Sequence, residues 1–445
     1  MMRKLCMYLV FMFAFSPSAF GDAPEEFFVP VMGESVHIFD PGEGELRPWY
    51  INDHCIVRGP DNKFHLFGIT HTKEVFPPPW AEHEFAHASS DQLFRQGWQK
   101  HERVLRIDKE LGETHVWAPH VIEKDDLYYI FYAAGGGHWD AMTNLATSRD
   151  LFLWKRHPEN PMFRDFYDAR DPMVYKHGDE YVMYYTKTYS EDDHRSTVAI
   201  RRSMDLVHWS EPEFALVLSD YPRAVNSGHT ESPYYFQYNG RHYLCICNPY
   251  YHYRFSRVFV SDNPFHFDEK DEITSLIAHC PEVIEADGRW AVSHAGWFYN
   301  GVYLAPVEWR KARRFEPQMI FINAGETIDY LVAQQGTKVS DAGLVRLAPT
   351  NKAIRIGQGG YARYQVPVPE EVEEIQMFVC GKGEYELIVK SGSLNVEKNL
   401  ASSEALDLYW LENPELWQDG TLEIEVRSAT KKPYRLNWMR IYFTE

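Results

Sequence analysis

Along most of this chain apolar and polar side chains alternate in short runs that end at Gly, Pro, Asn, Asp or Ser. Alternation with period two marks half-buried strands, and the turn residues between runs mark hairpins. Five times the runs come in the same order. A strand opening with a small polar or acidic residue enters a tight turn, and a second strand rich in Tyr, Phe and His follows. A third strand then leads to a Ser-Asp turn and an aromatic. The five openings are Asp53-His54-Cys55-Ile56-Val57, Trp117-Ala118-Pro119-His120-Val121-Ile122, Arg170-Asp171-Pro172-Met173-Val174, Glu231-Ser232-Pro233-Tyr234-Tyr235 and His279-Cys280-Pro281-Glu282-Val283. Repeats of roughly 40–50 residues with this strand content predict an all-β, five-bladed β-propeller.

Turn chemistry fixes the register of each repeat. Between first and second strands lie Gly59-Pro60-Asp61-Asn62, Glu123-Lys124-Asp125-Asp126, Lys176-His177-Gly178-Asp179, Tyr238-Asn239-Gly240 and Ala286-Asp287-Gly288, which supply tight-hairpin residues. The second strand therefore returns to the face where the first begins. Its end loops, Thr70 to Phe85, Gly135 to Asn144, Thr186 to Thr197, Asn248 to Ser256 and His294 to Asn300, join the openings there. Aromatic and His residues in every one of these loops predict the wall of a cleft. The Ser-Asp turns are followed by Trp98, Trp154, Trp209 or Phe267, read as outer aromatics packing between neighbouring blades. The fifth repeat is degenerate, with Glu308-Trp309 in a similar place.

After about Arg314 the pattern breaks. The propeller is predicted over 22–325, a linker or closing strands over 326–348, and a second domain over 349–445. In that domain Tyr361 to Val366, Tyr385 to Val389, Thr421 to Val426 and Leu436 to Tyr442 alternate in short runs, which predicts an antiparallel, jelly-roll-like β-sandwich. Residues 1–21 read as a cleavable export signal: Arg3 and Lys4, an apolar run from Leu5 to Phe15, then Ala19-Phe20-Gly21. Such a signal implies a secreted or periplasmic protein.

Composition narrows the partners. A net charge of -19 argues against nucleic acid or an anionic membrane surface, either of which demands a basic patch. Aromatics make up 15% of the chain, and amphipathic rings suit sugar-binding surfaces. Cys55, Cys245, Cys247, Cys280 and Cys380 are too few and too irregular for a disulfide framework and show no zinc spacing, so they read as buried thiols. Oligomeric state is not legible here.

Three openings carry a carboxylate: Asp53, Asp171 and Glu231. Cleaving a glycosidic bond takes one carboxylic acid to protonate the leaving oxygen and one carboxylate to activate water or attack the anomeric carbon. First strands line the channel of a propeller, so openings from distant repeats meet there. Like-charge repulsion among converging carboxylates keeps one of them protonated.

In order, Asp near the start, Arg170-Asp171-Pro172 in the middle and Glu231-Ser232-Pro233 after it resemble the five-bladed propeller glycoside hydrolases of families 43 and 32. Trp117 to Val121 and Tyr128 to Tyr132 also resemble the second blade of family 43, and the likeness covers about residues 45 to 315. The resemblance implies a glycosidase with Asp53 as general base, Asp171 as the residue that tunes pKa and orients, and Glu231 as general acid. Inversion is the favoured outcome. Asn52-Asp53 resembles the Asn-Asp-Pro element of family 32, whose Asp is a nucleophile, but His54 replaces the Pro and Ser232 the Cys after Glu. A retaining β-fructosidase is thus the alternative, and a non-catalytic carbohydrate-binding propeller the rival. Trp49, Asn52, His54, Trp117, His138, Arg170, His229, His294, Trp297 and Tyr299 are the expected substrate contacts. No cofactor is required, and the resemblance allows a structural calcium ion in the channel at His279.

Overall fold

Hairpin turns form where Asn, Asp and Gly allow a left-handed backbone. Asn239-Gly240 and Asp287-Gly288 place both residues at positive φ, 47° and 79° in the first, 53° and 72° in the second. That geometry matches the strand twist and joins each first strand to its second. A computed structural model describes residues 26–73, 82–135, 141–193, 195–219, 230–248, 253–296, 299–324, 330–341, 352–391 and 394–444. Among them no helix is long and apolar enough to cross a membrane.

The strands assemble into five blades around a ring. Trp49–Arg58, Val116–Lys124, Ala169–His177, Glu231–Tyr238 and Glu282–Ala286 are the innermost strands of blades one to five. Blade five takes its outermost strand from the other end of the domain: Glu26–Met32 pairs antiparallel with Val302–Arg313, from Glu26↔Arg313 to Met32↔Val307. The degenerate fifth repeat is completed in this way, and the ring is closed by backbone hydrogen bonds.

Apolar clusters fill the seams between blades, and the outer aromatics lie in them. Trp154 of blade two meets Phe67 of blade one edge-on at 5.6 Å, and Trp209 of blade three meets Phe131 of blade two at 5.6 Å. Trp98 is buried against Ala291 and Leu304 of blade five, and Phe267 against Tyr184 of blade three. Trp309 does the same for blade five, stacking on Tyr238 of blade four with centroids 3.7 Å apart. The turn before each aromatic is built by its own side chains: Ser148 Oγ accepts from Leu151 N, and Asp150 Oδ1 from Phe152 and Leu153 N.

The second domain is a closed antiparallel sheet. Glu374–Ser391 pairs with Tyr434–Thr444 along its first half and with Thr421–Ser428 along its second, so the two layers of the sandwich share long bent strands. Met319–Asn323 pairs with Tyr434–Thr444, and Leu331–Asp341 with Lys352–Pro367. Both strands precede residue 349, and the stretch read as linker or closing strands supplies part of this sheet. The five cysteines at 55, 245, 247, 280 and 380 are buried and form no disulfide among the described residues.

Candidate active site

Each of the first four blades opens with a β-bulge. Pairing of first and second strands skips Asn52-Asp53, Ala118-Pro119, Asp171-Pro172 and Ser232-Pro233. Ala118, Asp171 and Ser232 adopt positive φ of 45°, 57° and 50°, as does Cys280 (43°) just before blade five. A bulge re-aims side chains that a regular strand would point into the sheet faces, and left-handed non-Gly residues are strained positions that surrounding structure must hold. The carboxylates do not occupy matching places in this motif. Glu231 is the last paired residue before its bulge, Asp171 the first skipped residue, and Asp53 the second.

Ser232 ties them together. Its backbone N donates to Asp171 Oδ2 at 3.0 Å, and its hydroxyl donates to Asp53 Oδ1. Arg170 Nη1 donates to Glu231 Oε1 at 3.0 Å, and its Nε pairs with Asp168 Oδ1 at 3.0 Å. Asp53, Asp171, Glu231 and Asp168 therefore share one network with a single guanidinium. Arg170 Nη2 has no hydrogen-bond partner among the described residues.

Four carboxyls against one cation cannot all ionise cheaply in a buried site. Burial, then the charges of Asp171 and Glu231, push Asp53 up to about 8, although the Ser232 hydroxyl pulls it down. Burial raises Asp168 to about 6 against the pull of Arg170. Burial also raises Glu231, with Arg170 opposing. Of these two raised carboxyls, Glu231 accepts directly from the guanidinium and Asp53 accepts from the Ser232 hydroxyl.

The expected substrate contacts are placed as follows. Asn52 Nδ2 donates to Tyr253 Oη at 3.1 Å. Trp49 lies under the Arg103 guanidinium at 3.8 Å. Trp117 stacks on His115 at 3.6 Å and donates to Glu82 Oε2 at 2.6 Å. Tyr299 meets His294 edge-on at 5.0 Å, and His294 Nε2 bonds Ser35 Oγ at 3.0 Å. His54 is turned inward, 5% exposed, with Nε2 2.7 Å from Ser293 Oγ. It follows the bulge, and the extra residue reverses which face it points to. His138, His229 and Trp297 lie outside the described residues.

His279 is 1% exposed, stacked on Tyr253 at 3.8 Å, with Nδ1 2.8 Å from Cys247 Sγ. Burial and the nearby His54 and His294 lower it to about 3, so it is neutral. An oxygen of Asp53, a ring nitrogen of His279 and Cys280 Sγ lie within 4.8 Å of one another. Calcium takes six to eight oxygens. This set of one carboxylate, one imidazole and one thiol does not fit it.

Ser232, Tyr253 and Asp168 were not among the residues singled out from the sequence. Asp168 was detectable, since Asp168-Ala169-Arg170-Asp171 flanks the arginine with acids. Tyr253 lies in the Asn248 to Ser256 loop read as cleft wall, but its pairing with Asn52, about 200 residues away, has no mark in the sequence.

A five-bladed propeller whose channel openings gather carboxylates around one arginine is the architecture of a glycoside hydrolase. Residues 49–296 match the model of the glycosyl hydrolases family 32 N-terminal domain. The chain belongs to that family and is a glycosidase of the family 32 and 43 propeller type. No curated protein matches. Among solved structures it is similar to a family 32 β-fructofuranosidase from Bombyx mori, with 15% identity, TM-score 0.44 and coverage of 90% of this chain and 94% of that one. It is also similar to a family 43 β-xylosidase/α-arabinofuranosidase from a compost metagenome in complex with xylotriose (17%, 0.45, 64% and 96%). A third is an exo-β-1,3-galactanase from Phanerochaete chrysosporium with galactose (12%, 0.45, 93% and 100%).

Proposed function

We propose that this glycosidase is exported by its 1–21 segment and hydrolyses oligo- or polysaccharides with inversion. Glu231 protonates the leaving oxygen, Asp53 activates water, and Asp171 orients the pair. The observation that carries this reading is the Ser232 bridge, which fixes Asp53 and Asp171 on the residue next to Glu231. A carboxyl raised toward neutrality is a better proton acceptor for water than an unperturbed one, and Asp53 is raised to about 8. Arg170 Nη2 supplies a donor for a sugar hydroxyl, and two-carboxyl chemistry requires no cofactor.

Family 32 membership favours a second reading, in which Asp53 is the nucleophile of a retaining enzyme. Product release from a panel of aryl glycosides and plant or algal polysaccharides, followed by NMR of the first anomer formed, separates the two. An inverted anomer is expected, and a retained one replaces the general base with a nucleophile. Asp53→Asn and Glu231→Gln should each abolish turnover while leaving binding intact. Activity above a tenth of wild type in Asp53→Asn removes Asp53 from the mechanism, and binding without turnover by the wild-type chain on every substrate leaves a carbohydrate-binding propeller.

A further inference from the structure

We infer that the floor of the active site binds a thiophilic divalent cation of the zinc class, and that the cation switches the enzyme off by taking Asp53 as a ligand. The donors are the Asp53 carboxylate, the His279 imidazole and the Cys280 thiol, mutually within 4.8 Å. One oxygen, one nitrogen and one sulfur are a zinc-type set. In a tetrahedral site with metal–ligand bonds of about 2.0–2.3 Å, ligand atoms sit roughly 3.5 Å apart, so these groups need converge by only about 1 Å.

A second observation points to a ligand. His279 Nε2 is buried and has no hydrogen-bond partner among the described residues. An unsatisfied buried polar atom is destabilising, and a metal bond relieves it. The rest of the ring is already fixed: Cys247 Sγ engages Nδ1 at 2.8 Å and Tyr253 stacks on its face. Metal-binding histidines are commonly oriented through the nitrogen that does not bind the metal. The backbone contributes too, since Cys280 itself stands in the left-handed conformation just before blade five.

Cys280 binds as the thiolate and its proton leaves to solvent. A metal-bound Asp53 neither accepts a proton from water nor attacks an anomeric carbon, so occupation and hydrolysis exclude each other. Three protein ligands leave a fourth position for water.

The test uses the full chain stripped with chelator and titrated with Co²⁺ as a spectroscopic probe. One ion per chain is expected, with a cobalt–thiolate charge-transfer band that Zn²⁺ displaces and excess Ca²⁺ does not. The band should be absent in Cys280→Ser. Absence of the band in wild type, its persistence in Cys280→Ser, or displacement by Ca²⁺ overturns the site. This arm needs no turnover, so it fails or succeeds independently of the acid/base assignment. In parallel, Zn²⁺ should inhibit hydrolysis of an aryl glycoside reversibly on adding EDTA. Cys280→Ser should need at least tenfold more Zn²⁺ to halve its own metal-free rate. Cobalt binding with undiminished hydrolysis overturns Asp53 as a ligand. If Cys280→Ser fails to fold, Cys280→Ala and the wild-type spectrum decide.

Discussion

Ser232 has two tasks at one position: its amide holds Asp171 and its hydroxyl holds Asp53. Removing the hydroxyl leaves the fold intact but takes away the side-chain hydrogen bond that lowers the Asp53 pKa. Ser232→Ala should therefore reduce kcat/KM by about 10–100-fold, the worth of a hydrogen bond to a charged group. The acidic limb of the pH–rate profile should move to higher pH, because Asp53 then ionises later. A purely structural role would lower the rate without moving that limb. The sequence made Asp53, Asp171 and Glu231 readable through their places at the openings, but assigned them equivalent positions. Their displacement by one residue each depends on where pairing skips, which is settled by partners on the next strand. The same slip leaves His54 buried, between Ser293 and Cys280.

Within elements, blade one contains an unusual stack. His65 Nδ1 lies 2.9 Å from His87 Nε2, and His87 and His101 have centroids 4.7 Å apart. Burial, then the charges of His65 and His101, lower His87 to about 3. An unfolded imidazole titrates near ~6.5. Between those values the unfolded chain binds a proton that folded His87 does not, so its stabilising effect is whole above pH 6.5 and is lost as pH falls through that window. His87→Asn should flatten the dependence of urea-unfolding free energy on pH between 6.5 and 4 by up to about 1.4 kcal/mol per pH unit. An unchanged slope would show that the stack does not resist protonation. At the seam of blades four and five, Trp309→Ala should cost about 3 kcal/mol, the low end for a large aromatic that is only partly buried, read from the denaturant midpoint. The seam aromatics were legible because each follows a turn with its own chemistry. Trp309 follows no such turn and gave only a faint signal.

For the whole molecule, the two domains are fastened by a buried ion cluster. Glu272 of blade four is 1% exposed and accepts from Arg257 at 2.8 Å and from Arg440 and Tyr442 of the second domain at 2.5 Å each. Thr274 and Ser275 bond Gln376 and Tyr442 across the same seam, and Phe255 packs on Trp438 at 5.0 Å. Burial pushes the Glu272 carboxyl up, but Arg257 and Arg440 more than offset it and hold it below its ordinary value. A lowered folded pKa gives stability that is present above the unfolded value and is lost as pH falls through the folded one. Arg440→Met should cost about 3–5 kcal/mol by leaving the carboxylate underpaired, and should separate the calorimetric transitions of the domains. A single unshifted transition would mean that apolar packing alone joins them. Alternation predicted the sandwich, but not that Met319–Asn323 starts it, because a five-residue apolar strand carries no label for the sheet it joins.

The strand that closes the ring has a consequence for how the protein is made. Glu26–Met32 leaves the ribosome early, yet its partner Val302–Arg313 follows about 280 residues later. At roughly 5–20 residues per second, the wait is about 15–60 s. Throughout it a strand with buried-type residues Phe27 and Val29 has no strand to pair with. Until then blade five lacks its outermost strand, and the edge of Val302–Arg313 that Glu26–Met32 later covers stays open to other chains.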